Sequence, residues 1–211
     1  MQNTVIALRG RQVEAARNDE LIRSAARAVF VADPTAPVSA VAARAGVGIA
    51  ALYRRYASKE ELLRTLCAEG LERYIALTEV ALADKREPWE VFTSWVSSLV
   101  DADTQSLVQR LSGTFTPTED MYKAAARADK LNRKLFTRIA TAGVLRADFE
   151  VNDLAMVFEM VAGVRVVDPE STRRLRHRYL ALILDAVRPP SRASLPGIPP
   201  TRAELEQRWR P

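Results

Sequence analysis

Residues 46–62 read GVGIAALYRRYASKEEL. The groups in this run able to do chemistry are Tyr53, Arg54, Arg55, Tyr56 and Lys59. A guanidinium forks onto phosphate or onto a guanine edge, an ammonium neutralises phosphate, and a phenol donates to it. The chemistry on offer is therefore recognition of a polyanion rather than bond making. The rest of the chain agrees. His177 is the single histidine and sits among Arg173, Arg174, Arg176 and Arg178, with no cysteine or carboxylate at ligand spacing, so no metal site is expected. Cys67, between Leu66 and Ala68, reads as a small buried hydrophobe. No Ser/His/Asp set, phosphate-binding glycine loop or dinucleotide fingerprint is present. No catalytic residue and no cofactor are expected, and an enzyme is the remote reading.

Those cations need an element to present them. Residues 39–45 (SAVAARA) have helical spacing and end at Gly46, a residue type that closes a helix in the left-handed conformation. Residues 49–55 predict a second short helix. Two short helices joined at a glycine turn make a helix-turn-helix, whose second helix enters a DNA major groove while the first crosses the backbone. Val41, Ala42, Ala45, Val47, Leu52 and Tyr56 are the apolar contacts that would lock the pair onto Phe30 and its neighbours. The 3.6-residue period then leaves Ile49, Ala50, Tyr53 and Arg54 on the opposite face. Gly48 and Ala50 are small enough for close approach to base edges. Tyr53 and Lys59 can bond phosphates; Arg54 can hold a phosphate or read a guanine. Arg55 can instead pair with Glu60 or Glu61.

The charge distribution fits. Net charge is +5 over 211 residues. Nine cations between Arg9 and Lys59 face four acids (Glu14, Asp19, Glu20 and Asp33), and no acid lies between Arg44 and Lys59. Arg9, Arg11 and Arg17 form either a disordered tail or an arm for the minor groove. One cysteine, no signal-peptide core and no apolar run of about 20 residues predict a cytoplasmic protein without a membrane segment.

Prolines punctuate an all-α chain: Pro34, Pro37, Pro88, Pro117 and Pro169 separate helical stretches, and six more lie from Pro189 onward. Helices are predicted at 18–32, with Asn18 or Asp19 capping the start, and at 58–84, with Ser58 and Glu61 as a capping box. Others are expected near 88–101, 104–112, 118–142, 151–163 and 171–187. VRVV at 164–167 is too short for a strand. Gly70, inside the helix 58–84, either permits a bend or makes room for a neighbour. Three regions follow: a DNA-binding head at 1–60, with 1–17 as a flexible arm; a helical domain at 61–188; and a proline-rich tail at 189–211, with Thr201 and Glu204 as a further capping box.

AARAGVGIAALYRRYASKEELL resembles the DNA-binding signature of TetR-type transcriptional regulators, roughly A-x-x-A-G-V-x-x-G-T-L-Y-x-x-F-x-S-K-E-x-L. Ala42, Ala45, Gly46, Val47, Leu52, Tyr53, Ser58, Lys59, Glu60 and Leu62 match; Tyr56 replaces Phe, Ala51 replaces Thr, and Pro37 stands where Thr is frequent. The resemblance implies a homodimeric, ligand-responsive regulator, expected to be a repressor. Ser39, Gly48, Ile49, Ala50, Tyr53, Arg54, Arg55 and Lys59 would meet a double-stranded DNA operator. A small apolar effector would sit among Phe92, Trp95, Leu99, Phe115, Met121, Phe136, Met156 and Met160. A two-fold seam would use Leu154, Val157, Phe158, Val161, Leu175, Tyr179, Leu182 and Ile183. The alternative is a helical ligand-binding or scaffolding protein whose basic face meets an acidic protein or membrane surface.

Overall fold

The computed structural model describes residues 2–111, 113–190 and 193–207, with the backbone alone for 2–13, 15, 105, 108 and 109. All its regular elements are helices: α1 (Gln2–Ala32), α2 (Val38–Ala45), α3 (Ile49–Arg55), α4 (Lys59–Ala83), α5 (Pro88–Ala102), α6 (Thr104–Leu111), α7 (Glu119–Thr141), α8 (Asp153–Gly163), α9 (Pro169–Ala186) and α10 (Arg202–Gln207). The chain divides between Cys67 and Ala68, inside α4, the helix in which the expected boundary after residue 60 also lies.

In the first unit, α1 begins at Gln2 rather than near Asn18. No proline interrupts residues 2–32, so nothing stops the helix from extending through the stretch read as an arm. Asp19 is consequently interior to α1 and caps nothing. Ile22, Ala25, Ala26 and Phe30 form the buried stripe of α1, while Leu21 of the same apolar series is exposed. Val38, Val41 and Ala42 bury the inner face of α2, and Leu52 and Tyr56 anchor α3 and its end. Burying a side chain of the Leu or Phe class contributes about 1.5–3 kcal/mol, which is how short helices are held at all.

The turns are equally local in origin. Asp33 closes the α1–α2 connection by accepting the Thr35 N–H at 2.8 Å and its hydroxyl at 2.6 Å. Gly46 has φ 68°, and the Val47 N–H reaches back to the Ala42 carbonyl at 3.1 Å. Ser58 accepts the Glu61 N–H at 3.0 Å, and the Glu61 carboxylate answers on the Ala57 N–H at 2.7 Å, one residue before the position expected of a capping box.

The second unit has one continuous apolar core, built from Val91, Phe92, Trp95, Val96 and Leu99 of α5, Leu135, Phe136 and Ile139 of α7, Leu154, Val157, Phe158 and Val161 of α8, and Leu180 of α9. Three polar ties fix it. Trp95 Nε1 donates to the buried Thr78 hydroxyl at 3.1 Å. Arg138 donates to the carbonyls of Ala81, Leu82 and Asp84, satisfying the C-terminal end of α4. Arg176, only 7% exposed, joins Asp103 and Ser106 at the α5–α6 corner to the Ala162 and Val164 carbonyls at the end of α8.

The tail folds back. Arg146 bonds the Ala193 carbonyl, Asp148 accepts the Leu195 N–H, Asn152 donates to the Pro200 carbonyl, and Arg202 pairs with Asp129. Thr201 and Glu204 form the expected capping box of α10. A Cβ built on Gly70 meets nothing within 4 Å, so this glycine does not make room for a neighbour.

Candidate nucleic-acid interface

Helix α3 is seven residues long and amphipathic by necessity. Leu52 is fully buried, so the residues three before, two before, one after and two after it turn outward. Ile49, Ala50, Tyr53 and Arg54 are all exposed, Tyr53 by 49%. Gly48, the N-cap of α3, and Ser39, in the first turn of α2, are exposed too. Arg54 makes no ion pair among the described residues. This face therefore offers small residues, a phenol and an uncommitted guanidinium, with no acid between Arg44 and Lys59 to oppose them.

Two expected contacts are committed elsewhere. Arg55 pairs with Asp19, not with Glu60 or Glu61: its Nε donates to Oδ1 at 2.9 Å and its Nη2 to Oδ2 at 3.1 Å. Glu60 instead takes Arg64, and Glu61 caps Ala57. Lys59 Nζ donates to the carbonyls of Pro34 and Ala36, both at 2.8 Å, and lies 5.1 Å from the Phe30 ring centroid. Two of its three donors thus clasp the α1–α2 connection. Neither arrangement was visible in sequence, because Asp19 and the proline loop lie more than twenty residues away along the chain.

Asp19 is the centre of this cluster and was not read as functional. It is 8% exposed and accepts from Arg55, from the Tyr56 hydroxyl at 2.6 Å and from Arg23. The Arg55 bond above all, with help from Tyr56 and Arg23, outweighs burial and holds its carboxyl down at about 2. Burial and the bond to Asp19 push the Tyr56 phenol up to about 12, so it stays a donor. Burial likewise pushes the Cys67 thiol up to about 12, which leaves it protonated and inert. The side chains of Arg9 and Arg11 lie outside the described residues; Arg17 is exposed on α1.

In the second unit the expected effector lining divides. Phe92, Trp95, Leu99, Phe115 and Phe136 are buried, Met121 and Met156 are partly exposed, and Met160 is 58% exposed on α8. Met160 therefore belongs to the outer face and not to an interior lining. The expected seam divides in the opposite sense. Leu154, Val157, Phe158 and Val161 point into their own core, whereas Tyr179 and Leu182 are exposed and Leu175 and Ile183 are half-buried. Helix α8 is apolar almost all round, so its sequence could not say which face turns inward.

A glycine-turned helix pair with an exposed, acid-free reading face, carried by an all-helical chain, is the build of a helix-turn-helix transcription regulator. Residues 22–66 match the family described as bacterial regulatory proteins, tetR family. Solved structures share the fold. The TetR-like regulator LfrR of Mycobacterium smegmatis, in complex with proflavine, is 20% identical with a TM-score of 0.62, over 85% of this chain and 99% of that one. A gamma-butyrolactone receptor described as ArpA-like is 18% identical with a TM-score of 0.62, over 84% and 91%. A TetR regulator of Streptomyces coelicolor is 23% identical with a TM-score of 0.52, over 82% and 99%. No curated protein matches the chain. Residues 22–66 thus carry the DNA-binding segment of the TetR family, and the chain as a whole shares the fold of solved TetR-type structures. Among the described residues, no helix is long and apolar enough to cross a membrane.

Proposed function

We propose that the protein is a homodimeric repressor that leaves its operator when a small apolar molecule binds its second unit. The observation that carries this reading is the outward face of α3, with Tyr53 and Arg54 presented beside the small residues Gly48 and Ala50. Ile49 and Ala50 suit apolar contact with thymine methyl groups, Arg54 a guanine edge or a phosphate, and Tyr53 and Ser39 phosphates. Lys59 retains one N–H for a phosphate and otherwise shapes the head.

Two half-sites one or more helical turns apart (~34 Å per turn) require a two-fold partner. The outer faces of α8 and α9, with Met160, Tyr179 and Leu182, support such a seam. The effector site is inferred for the aromatic layer of α5 and α7. It is supported by the relatives whose descriptions name proflavine and a gamma-butyrolactone. A ligand there acts only through its different affinity for the DNA-competent and DNA-incompetent states.

The test is selection of duplexes from a random pool, followed by a shift assay. The wild type is expected to enrich one inverted-repeat sequence. Tyr53→Ala combined with Arg54→Ala is expected to weaken binding to it at least tenfold, as losing a base contact does. Equal competition by any polyanion would favour an acidic protein or membrane surface as the partner.

A further inference from the structure

We propose that Asp19 is the positioning residue of the DNA-reading helix, and that it engages Arg55 in place of a phosphate. The inference rests on the DNA-binding reading above. Asp19 belongs to α1, not to the helix-turn-helix, yet among the described residues it takes three bonds from the far end of α3. Oδ1 accepts the Tyr56 hydroxyl at 2.6 Å and Arg55 Nε at 2.9 Å; Oδ2 accepts Arg55 Nη2 at 3.1 Å and Arg23 Nη1. Arg55 is the last residue of α3 and Tyr56 its C-cap. A seven-residue helix has too few internal bonds to fix its own axis. What sets the tilt of α3 is the buried Leu52 along its inner side and this carboxylate at its end.

The same geometry assigns Arg55 its role. A guanidinium meets carboxylate and phosphate with the same pair of parallel N–H bonds. Asp19 occupies that pair through Nε and Nη2. The Arg55 side chain is 60% exposed, so access to solvent is not what withholds it; the bound carboxylate is. A phosphate would have to strip Arg55 from a buried anion, leaving Asp19 with Arg23 and Tyr56 among the described residues, and loss of one partner from a buried ion cluster is unfavourable. Arg54, one residue earlier and unpaired among the described residues, carries no such restraint.

The experiment measures log K against log salt for the full chain. It uses a duplex selected from a random pool by the wild type and a shuffled duplex of equal length. Each phosphate newly neutralised steepens the slope by about 0.9. Asp19→Asn is expected to lose about tenfold in preference for the selected duplex as α3 loses its setting. It should also steepen the slope by about 0.9 per subunit as Arg55 is released. Arg55→Gln should weaken binding to the selected duplex with the slope unchanged, and the double variant should return to the wild-type slope. A merely structural role would not move the slope. A slope shallower by about 0.9 per subunit in Arg55→Gln would make Arg55 a phosphate contact and overturn the proposal, as would an unaltered slope in a folded Asp19→Asn. Should Asp19→Asn fail to fold, Arg55→Gln alone decides. If the wild type enriches no sequence, the DNA-binding reading falls and this inference with it; slopes contrary to expectation on an enriched duplex sink the inference only.

Discussion

Asp19 shows what a single residue's setting does to its meaning. In sequence it follows Asn18 at the edge of a basic stretch and looks like a helix cap. Within a helix that starts at Gln2 it is an interior carboxylate, free to turn toward α3. Tyr56 reads differently too. It occupies a position where TetR-type sequences carry Phe, and its hydroxyl reaches Asp19, a bond that Phe lacks. The cluster makes a definite statement about acid stability. The Asp19 carboxyl is held at about 2 against an ordinary 3.8. A lowered folded-state value stabilises fully above the unfolded value and is lost as pH falls through the folded one. The gap is worth about 2 kcal/mol. The protection of the head's amides, taken relative to their intrinsic exchange rate at each pH, is therefore expected to fall between pH 4 and pH 2 (~2 units, from the two values). Asp19→Asn, already lacking that stabilisation, should show a flatter profile over the same window. Equal pH profiles in the two proteins would mean that the carboxylate is not held by its neighbours.

At the scale of elements, most of the fold was legible because its punctuation is covalent. Pro88 and Pro169 open α5 and α9, Thr118 caps α7 through the Met121 N–H, and Gly46 ends α2. Where no such residue stands, a helix end is not written in the sequence: α1 starts at Gln2, well before Asn18. Gly46 and Gly70, two of the glycines that sequence singled out, separate cleanly in the structure. A Cβ meets nothing within 4 Å at either Gly46 or Gly70, so neither is excluded by crowding. Gly46, however, has φ 68°, and an L-residue there is strained by about 1–2 kcal/mol. Gly46→Ala is expected to lower head stability by that amount in urea unfolding. Gly70 is in the interior of α4, where alanine favours the helix by about 0.5–1 kcal/mol. Gly70→Ala should therefore raise stability. If it also locks the protein on or off DNA, α4 bends there during regulation; if stability falls, Gly70 has a packing role that open space does not explain.

For the whole molecule, the outward face of α3 was legible and the outward faces of α8 and α9 were not, for one physical reason. On α3 a polar and an apolar side are distinct, so burying Leu52 fixes where Tyr53 and Arg54 go. On α8 and α9 apolar residues occupy more than one side, and a single chain's pattern does not say which side meets its own core. The structure makes that division residue by residue. Leu180 is 1% exposed and belongs to the core, whereas Leu182, two residues on, is 60% exposed. Tyr179 and Met160 are also exposed on their helices. Under the proposed two-fold reading of DNA, a second copy of the chain would cover these side chains. The consequence is a pair of variants with opposite outcomes. Leu182→Glu places a charge in the proposed seam and leaves the subunit core intact. It is expected to sediment as a folded monomer, with wild-type helicity, and to lose operator binding through lost avidity. Leu180→Glu buries the same charge within the subunit core and should lose helicity outright. A Leu182→Glu protein that still sediments as a dimer would move the seam off α9. Loss of helicity in that variant would mean that Leu182 is packed within its own chain.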